Sequence, residues 1–351
     1  MKTKNIATVF AISAAALYAI NIPLSKLLLN HVNTTMMAAF LYLGAGIGIF
    51  IYRIVAGAFK QGERKESLTK KDIPYTVAMV ILDIIAPILL MFGIQKTNSA
   101  NVSLLNNFEI VATSLIALVI FKEAISKKLW MAIFLVTAAG IILSFEGNGA
   151  LAFNKGSLYV LGACVCWGFE NNCTKMISNK DSEQIVMIKG CFSGLGSFCV
   201  ALLLKEEIPA PVYLFMTMLL GFVSYGLSIN FYIKAQKNLG AAKTSAYYSI
   251  APFLGVAFSM LLLKERPEIQ FYVALTIMIA STVIMVKDTQ QIQHNHEHTH
   301  IHTHIHSHGS IVHEHEHIHK HSHSHMHEGS TKEHSHYHDN LTDHNHVHTG
   351  V

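Results

Sequence analysis

Four ionisable residues sit inside stretches otherwise apolar enough to exclude them: Asp83, Glu109, Glu170 and Lys189. A charge in hydrocarbon is expensive, so such groups face a wet cavity or a partner, and a substrate path is the first chemistry to consider. Counting ~1.5 Å per residue, Asp83 lies roughly 15 Å from one end of its run and Glu109 roughly 15 Å from the opposite end of its own. Both fall near mid-depth. Two carboxylates at one depth facing one cavity would repel, so that one would hold a proton or neutralise a cationic substrate. Alternatively each hydrogen-bonds a neighbouring helix, with Asn106, Asn107 or a tyrosine as partner. Glu170 and Lys189 fall on consecutive runs at a second, shared depth. Their ion pair would serve as a gate or a structural clamp, unless Lys189 snorkels to the headgroups.

Amides and prolines mark the same regions. Asn21 with Pro23 and Asn171 with Asn172 occupy corresponding places in the two halves, and Pro87 and Pro252 would loosen their helices and free carbonyls toward a cavity. Tyr18, Trp167, Tyr225, Tyr247 and Tyr248 could wall such a cavity or act as packing anchors. The candidate cavity set is therefore Asn21, Asp83, Asn106, Asn107, Glu109, Glu170, Asn172, Lys189, Tyr225, Tyr247 and Tyr248. Cys164, Cys166, Cys173 and Cys191 invite a soft-metal relay, but buried cysteine behaves as a small hydrophobe and packing is the preferred reading.

The elements that must position these residues follow from composition. With 51% hydrophobic and 14% charged residues, the chain is too apolar for a soluble domain of its length. Apolar runs of lipid-crossing length recur from Ile6 to Val286, predicting an all-α membrane protein of ten helices at about 5–25, 34–55, 73–94, 99–121, 126–146, 156–178, 184–204, 212–234, 241–263 and 267–287. The first run lacks a small-residue cleavage site and reads as a span. Alternate loops divide Lys and Arg unevenly: Lys26, Lys96, Lys155, Lys205, Lys264 and Arg266 on one side, seventeen on the other. The richer side belongs inside, which places both termini in the cytoplasm and the protein in the cell (inner or plasma) membrane. Glycines at 44, 48, 190, 194 and 196 let helices approach closely.

Beyond the last run the composition changes. Of 23 histidines, 22 fall between His294 and His348. Little there can form a core, so the tail, 289–351, is expected to be disordered. Its alternating imidazoles, His294, His296, His298, His300, His302, His304, His306 and His308, then His313, His315, His317, His319, His321, His323, His325 and His327, suit divalent zinc, nickel, cobalt or copper. The interspersed residues and the length argue against a purification tag. The tail could regulate a pore as a metal sensor, feed a metal-exporting pore, or be incidental.

Weak self-similarity divides the remainder. Leu17 to Lys26 aligns with Cys166 to Lys175, and Phe121-Lys122-Glu123 with Leu263-Lys264-Glu265. Five spans per half, an odd number, make the second copy inverted, as in many secondary transporters. On Asn98 to Glu109 and Phe121-Lys122-Glu123 the chain resembles the drug/metabolite transporter superfamily, in its ten-helix EamA-type branch. The resemblance covers about 5–287. It implies two five-helix repeats, 1–147 and 148–288, around a central cavity open alternately to each side, with no nucleotide hydrolysis. No G-x-x-x-x-G-K-[ST] phosphate loop is present.

The combined reading is a non-enzymatic secondary transporter of a small organic metabolite, with proton coupling or exchange left open, and a metal-binding cytoplasmic tail. No cofactor is expected apart from a divalent transition metal on the tail. Lipid, a small-molecule substrate and metal ions are the expected partners, nucleic acid is not, and the state is a monomer or homodimer. The alternative is a zinc, nickel or cobalt exporter fed by the tail. The spans lack histidine, since the one other histidine, His31, lies in a loop, and this favours the organic cargo. A non-transporting scaffold displaying the tail would need no buried charge.

Overall fold

The computed structural model describes residues 2–57, 67–120, 122, 125–144, 154–177, 180–239, 244, 247–308 and 311–326. Apolar runs dictate helix, because only a helix satisfies its own backbone groups in lipid. Ten helical rods run in the order expected. The first is α1 (Lys2–Ala19) and α2 (Asn21–Leu28), the second α3 (Thr34–Gly57) and the third α4 (Ile73–Lys96). The fourth is α5 (Ser99–Leu105) and α6 (Phe108–Ile120), followed by α7 (Lys127–Ser144), α8 (Lys155–Met176) and α9 (Ser182–Leu203). The eighth joins α10 (Pro211–Gly221) to α11 (Ser228–Leu239), and α12 (Ala251–Leu263) and α13 (Ile269–Ile292) complete the set.

Eight of these stretches are long and apolar enough to cross a membrane, and α12 is a shorter apolar helix. The remaining rod, α8, has 22 residues but carries Glu170, Asn171, Asn172 and Lys175. Phe134, Leu203, Leu261 and Ile269 are 72–82% exposed on the outside of the bundle. That side is dressed for lipid, since water would not tolerate so many contiguous bare hydrophobics.

Inter-helix packing repeats under exchange of the two halves. The second rod packs on the seventh, the fourth on the ninth, and the fifth on the tenth, each with its own counterpart. The first rod against the eighth is matched by the sixth against the third, and the fourth against the sixth by the ninth against the first. This pairing is what two oppositely inserted copies produce.

Glycine sets the tightest seams. A Cβ on Gly44 would lie 2.0 Å from the Met218 carbonyl oxygen, one on Gly221 would lie 1.9 Å from that of Leu41, and one on Gly190 would lie 2.4 Å from the Gly46 nitrogen. Main chain therefore meets main chain along α3.

Local chemistry explains where rods start and break. The Asn154 side chain caps α8 by accepting from the Gly156 and Ser157 amides at 2.8 and 3.2 Å, and Asp181 caps α9 by accepting from Glu183 N at 3.0 Å. The first rod breaks at Ile20, next to Pro23, which has no N–H to continue the ladder. Pro252 starts α12, as expected of a loosened ninth rod, but Pro87 sits inside an unbroken α4 and frees no gap there. Likewise Asn171 and Asn172 lie within a continuous α8, so only the first of the two matched amide sites is broken. Phe222–Leu227 widens to π geometry between α10 and α11.

The tail backbone forms an antiparallel ladder of β1 (Gln293–His308) and β2 (Ile311–Met326) that follows the end of α13. The sequence reading expected disorder there. Among the described residues the ladder has two strands, and a lone two-stranded ribbon is marginally stable in water.

Candidate functional site

A cavity of about 570 Å³ lies between the two halves. Its lining begins at mid-depth, where the broken rods meet. From there it extends through Thr113, Ser114, Val186, Ile229 and Tyr232 toward the end of the bundle that holds Lys2 and Ile292. It falls in the size range of small-molecule sites.

One wall is charged. Lys189 of α9 places its ammonium 3.0 Å from Glu170 Oε1 on α8 and 3.1 Å from Asp83 Oδ2 on α4. Asp83 is fully buried behind the lysine, and it also accepts a 3.1 Å bond from the Tyr42 hydroxyl. The Thr174 hydroxyl donates to Glu170. A single cation at the cavity wall thus bridges two buried acids, where each charge needs its partner. Lys189 does not snorkel, and of the first candidate pair only Asp83 joins Glu170 at its Nζ, while Glu109 stays apart.

Glu109 opens a second polar patch. It stands at the start of α6, just after the fourth rod breaks at Asn106-Asn107, and accepts a 2.7 Å bond from Asn171 Nδ2 on α8. The break itself is tied locally: Asn107 Nδ2 donates to Leu104 O at 3.0 Å, and the buried Cys164 thiol lies 3.7 Å from Leu105 O. Cys164 thus packs against a freed carbonyl. No group of three or more His, Cys, Asp and Glu able to hold a metal occurs among the described residues.

The opposite wall is a run of tyrosines in ring contact. Tyr232 meets Tyr248 at 5.1 Å between centroids, Tyr248 meets Tyr18 at 6.0 Å, Tyr18 meets Tyr225 at 6.0 Å, and Tyr225 meets Tyr42 at 5.3 Å. The π turn carries Tyr225 into this run. Widened turns of this kind are frequent at functional sites.

The far end is closed by charged caps. Glu206, just past α9, accepts from the Thr35 and Met36 amides at 3.1 and 2.7 Å at the start of α3. Glu265, just past α12, accepts from the Ser99 and Ala100 amides, both at 2.9 Å, at the start of α5. These are orphan donors at positive helix ends, where a carboxylate binds strongly. Each glutamate follows a lysine in left-handed conformation, Lys205 at φ 57° and Lys264 at φ 53°. At Lys205 the turn is a Schellman closure, with Lys205 N to Leu202 O and Glu206 N to Ala201 O both at 3.0 Å. Lys26 completes the closure by donating to the Ile94, Gln95 and Thr97 carbonyls at the end of α4.

Of the residues singled out from sequence, Asn106, Asn107, Glu109, Glu170, Lys189, Tyr225 and Tyr248 line the cavity. Asn21 stands one layer behind, donating to the Tyr225 hydroxyl at 3.0 Å, and Asp83 is likewise behind Lys189. Asn172 faces away and binds the Thr113 and Gly168 carbonyls. Tyr247 does not reach the cavity and is 39% exposed, because neighbours on a helical turn point about 100° apart. The tail histidines' side chains, and His327 altogether, lie outside the described residues. Sequence reasoning passed over Tyr42, Thr113 and Tyr232, which line the cavity. It also missed the glutamate caps, which carried a signal: Leu202-Leu203-Leu204-Lys205-Glu206 and Leu261-Leu262-Leu263-Lys264-Glu265 are the same pentapeptide.

Comparison with known proteins gives a family, two relatives by sequence and a likeness of fold. The pattern of the EamA-like transporter family matches residues 5–145 and 154–287. An uncharacterized transporter of Methanothermobacter thermautotrophicus is 23% identical over 294 residues, 78% of this chain and 84% of that protein. The uncharacterized transporter YyaM of Bacillus subtilis is 22% identical over 217 residues, 57% of this chain and 69% of that protein. A solved crystal structure superposes with a TM-score of 0.59 at 12% identity, over 81% of this chain and 98% of its own, a likeness of fold alone.

Proposed function

We propose, for a chain that belongs to the EamA-like transporter family, that it carries a small organic metabolite across the cell membrane by alternating access, as a secondary transporter. The observation that carries this reading is the cavity between the two repeats, polar at mid-depth, latched at one end and extending toward the other. Buried acids there support proton coupling or exchange as the driving process. The lysine and arginine distribution supports cytoplasmic termini, so that the passage faces inward and the latched end outward.

A metal-binding tail accompanies this reading. The ladder register sets His302 opposite His317 and His304 opposite His315, spacing that supports zinc, nickel, cobalt or copper binding. The tail also supports a second reading, a metal exporter. Against it, the described helices offer no onward ligand group.

The test is side-selective labelling of Ser114→Cys in a protein whose native cysteines are replaced, paired with metabolite and metal profiling of overexpressing and deletion strains. A thiol reached by impermeant maleimide from the cytoplasmic face, with redistribution of an organic solute, is the expected result. An Ser114→Cys thiol unreactive from both faces would overturn the carrier. Redistribution of metals alone would transfer the assignment to the second reading.

A further inference from the structure

Resting on that carrier reading, we propose that the cargo is an organic monocation with an aromatic or apolar body, its charged head against Glu109 and its body along the tyrosine run. The charge count around the cavity is unbalanced. Asp83, Glu109 and Glu170 face a single cation, Lys189, and that ammonium is held between Asp83 and Glu170. Among the described lining residues no second lysine or arginine reaches Glu109. Its Oε1 receives the Asn171 amide, which orients the carboxylate without neutralising it. A carboxylate lining a cavity between apolar helices calls for a positive ligand or a proton.

The tyrosines supply the rest of the recognition. Five rings in continuous contact, from Tyr232 to Tyr42, present π faces and edges along the cavity. Ring faces attract alkylammonium groups, most strongly where water is excluded, and they bury an aromatic body equally well. An anionic cargo would have to approach Glu109 and Glu170 and draw Lys189 away from two acids. A bare metal ion would find no cluster of ligands among the described residues. A neutral cargo would leave Glu109 to a proton alone and make no use of its charge. An organic cation answers the carboxylate and the rings together, and about 570 Å³ holds one with a ring-sized body.

A series with one body and four head groups tests this: phenethylammonium, 2-phenylethanol, 3-phenylpropionate and phenylalanine. Trp167 lines the cavity, and Trp130, the other of the chain's two tryptophans, is exposed on the lipid side. Trp130→Phe therefore makes Trp167 emission a reporter of the site in the purified full-length protein. Phenethylammonium is expected to bind at least about tenfold more tightly than the alcohol or the anion, as desolvated charge recognition requires. Glu109→Gln should erase that preference while the alcohol still binds, which also reports that the variant is folded. Preference for the anion, equal binding of all four, binding of none, or a cation preference that survives Glu109→Gln would each overturn the assignment. Labelling of Ser114→Cys reads the passage without any ligand, so failure of the cation leaves the carrier reading separately testable.

Discussion

Replacing Lys189 with methionine removes the one cation that two buried acids share. Its Nζ stands 3.0 Å from Glu170 and 3.1 Å from Asp83. With an effective dielectric constant of about 20, each contact represents ~5 kcal/mol of attraction. Much of that offsets the desolvation of three ions, so the net loss on removing one partner of a buried pair is about 3–5 kcal/mol. Lys189→Met should sit at the upper end, because it orphans two carboxylates, left with only the Tyr42 and Thr174 hydroxyls. Reversible unfolding in mixed micelles measures this. Asp83→Asn in the Lys189→Met background removes one orphan and should recover part of the loss, so the cycle is non-additive by more than ~1 kcal/mol. Wild-type stability of Lys189→Met, or additivity within ~0.5 kcal/mol, would refute the bridging role.

Other perturbations give equally definite expectations. Glu206→Gln with Glu265→Gln weakens two charge-assisted caps worth ~1.5–3 kcal/mol each. A cysteine introduced at the buried Ser25 should then react faster with impermeant maleimide, and an unchanged rate would show that the caps do not hold the closure. Gly44→Ala sets a Cβ 2.0 Å from the Met218 carbonyl and should destabilise by more than ~1 kcal/mol in the same unfolding assay. Gly162→Ala, whose Cβ would meet only the Leu89 side chain at 3.4 Å, should be tolerated. Removing residues 291–351 should abolish micromolar zinc and nickel binding in titration calorimetry while the cavity still reacts through Ser114→Cys. Retained metal binding would move the metal site into the membrane bundle.

The rods were legible because lipid-length apolar runs leave the backbone one solution; among the described residues they fall near the expected places, except that the ninth, expected from 241, has its described helix at Ala251–Leu263. Charge within the spans was legible for the same reason: Asp83, Glu109, Glu170 and Lys189 stand out against their surroundings. Their grouping was not, since periodicity along one helix carries no information about which face of α4 meets α9. Proline misled at Pro87, where surrounding helices hold α4 straight, and informed at Pro252, which falls where a helix starts in any case. Tyr42 was invisible because a tyrosine in an apolar run reads as an anchor until its hydroxyl is seen on Asp83. The repeated Lys-Glu ends were in plain view, but their purpose depends on amides from distant helices.

The glycine seams along α3 determine where the bundle can bend. Contact between Gly46 and Gly190 on one flank, and of Gly44 with Met218 and Gly221 with Leu41 on the other, leaves no side chain to swing aside. The second, seventh and eighth rods must consequently travel as one slab. Relative motion is left to junctions filled by large rings, such as that between α1 and α11, where Phe10 and Phe231 meet at 5.3 Å and can re-seat by rotation. Bending is therefore expected where the aromatics interleave, with the part cemented by residues lacking a side chain moving as its lever arm.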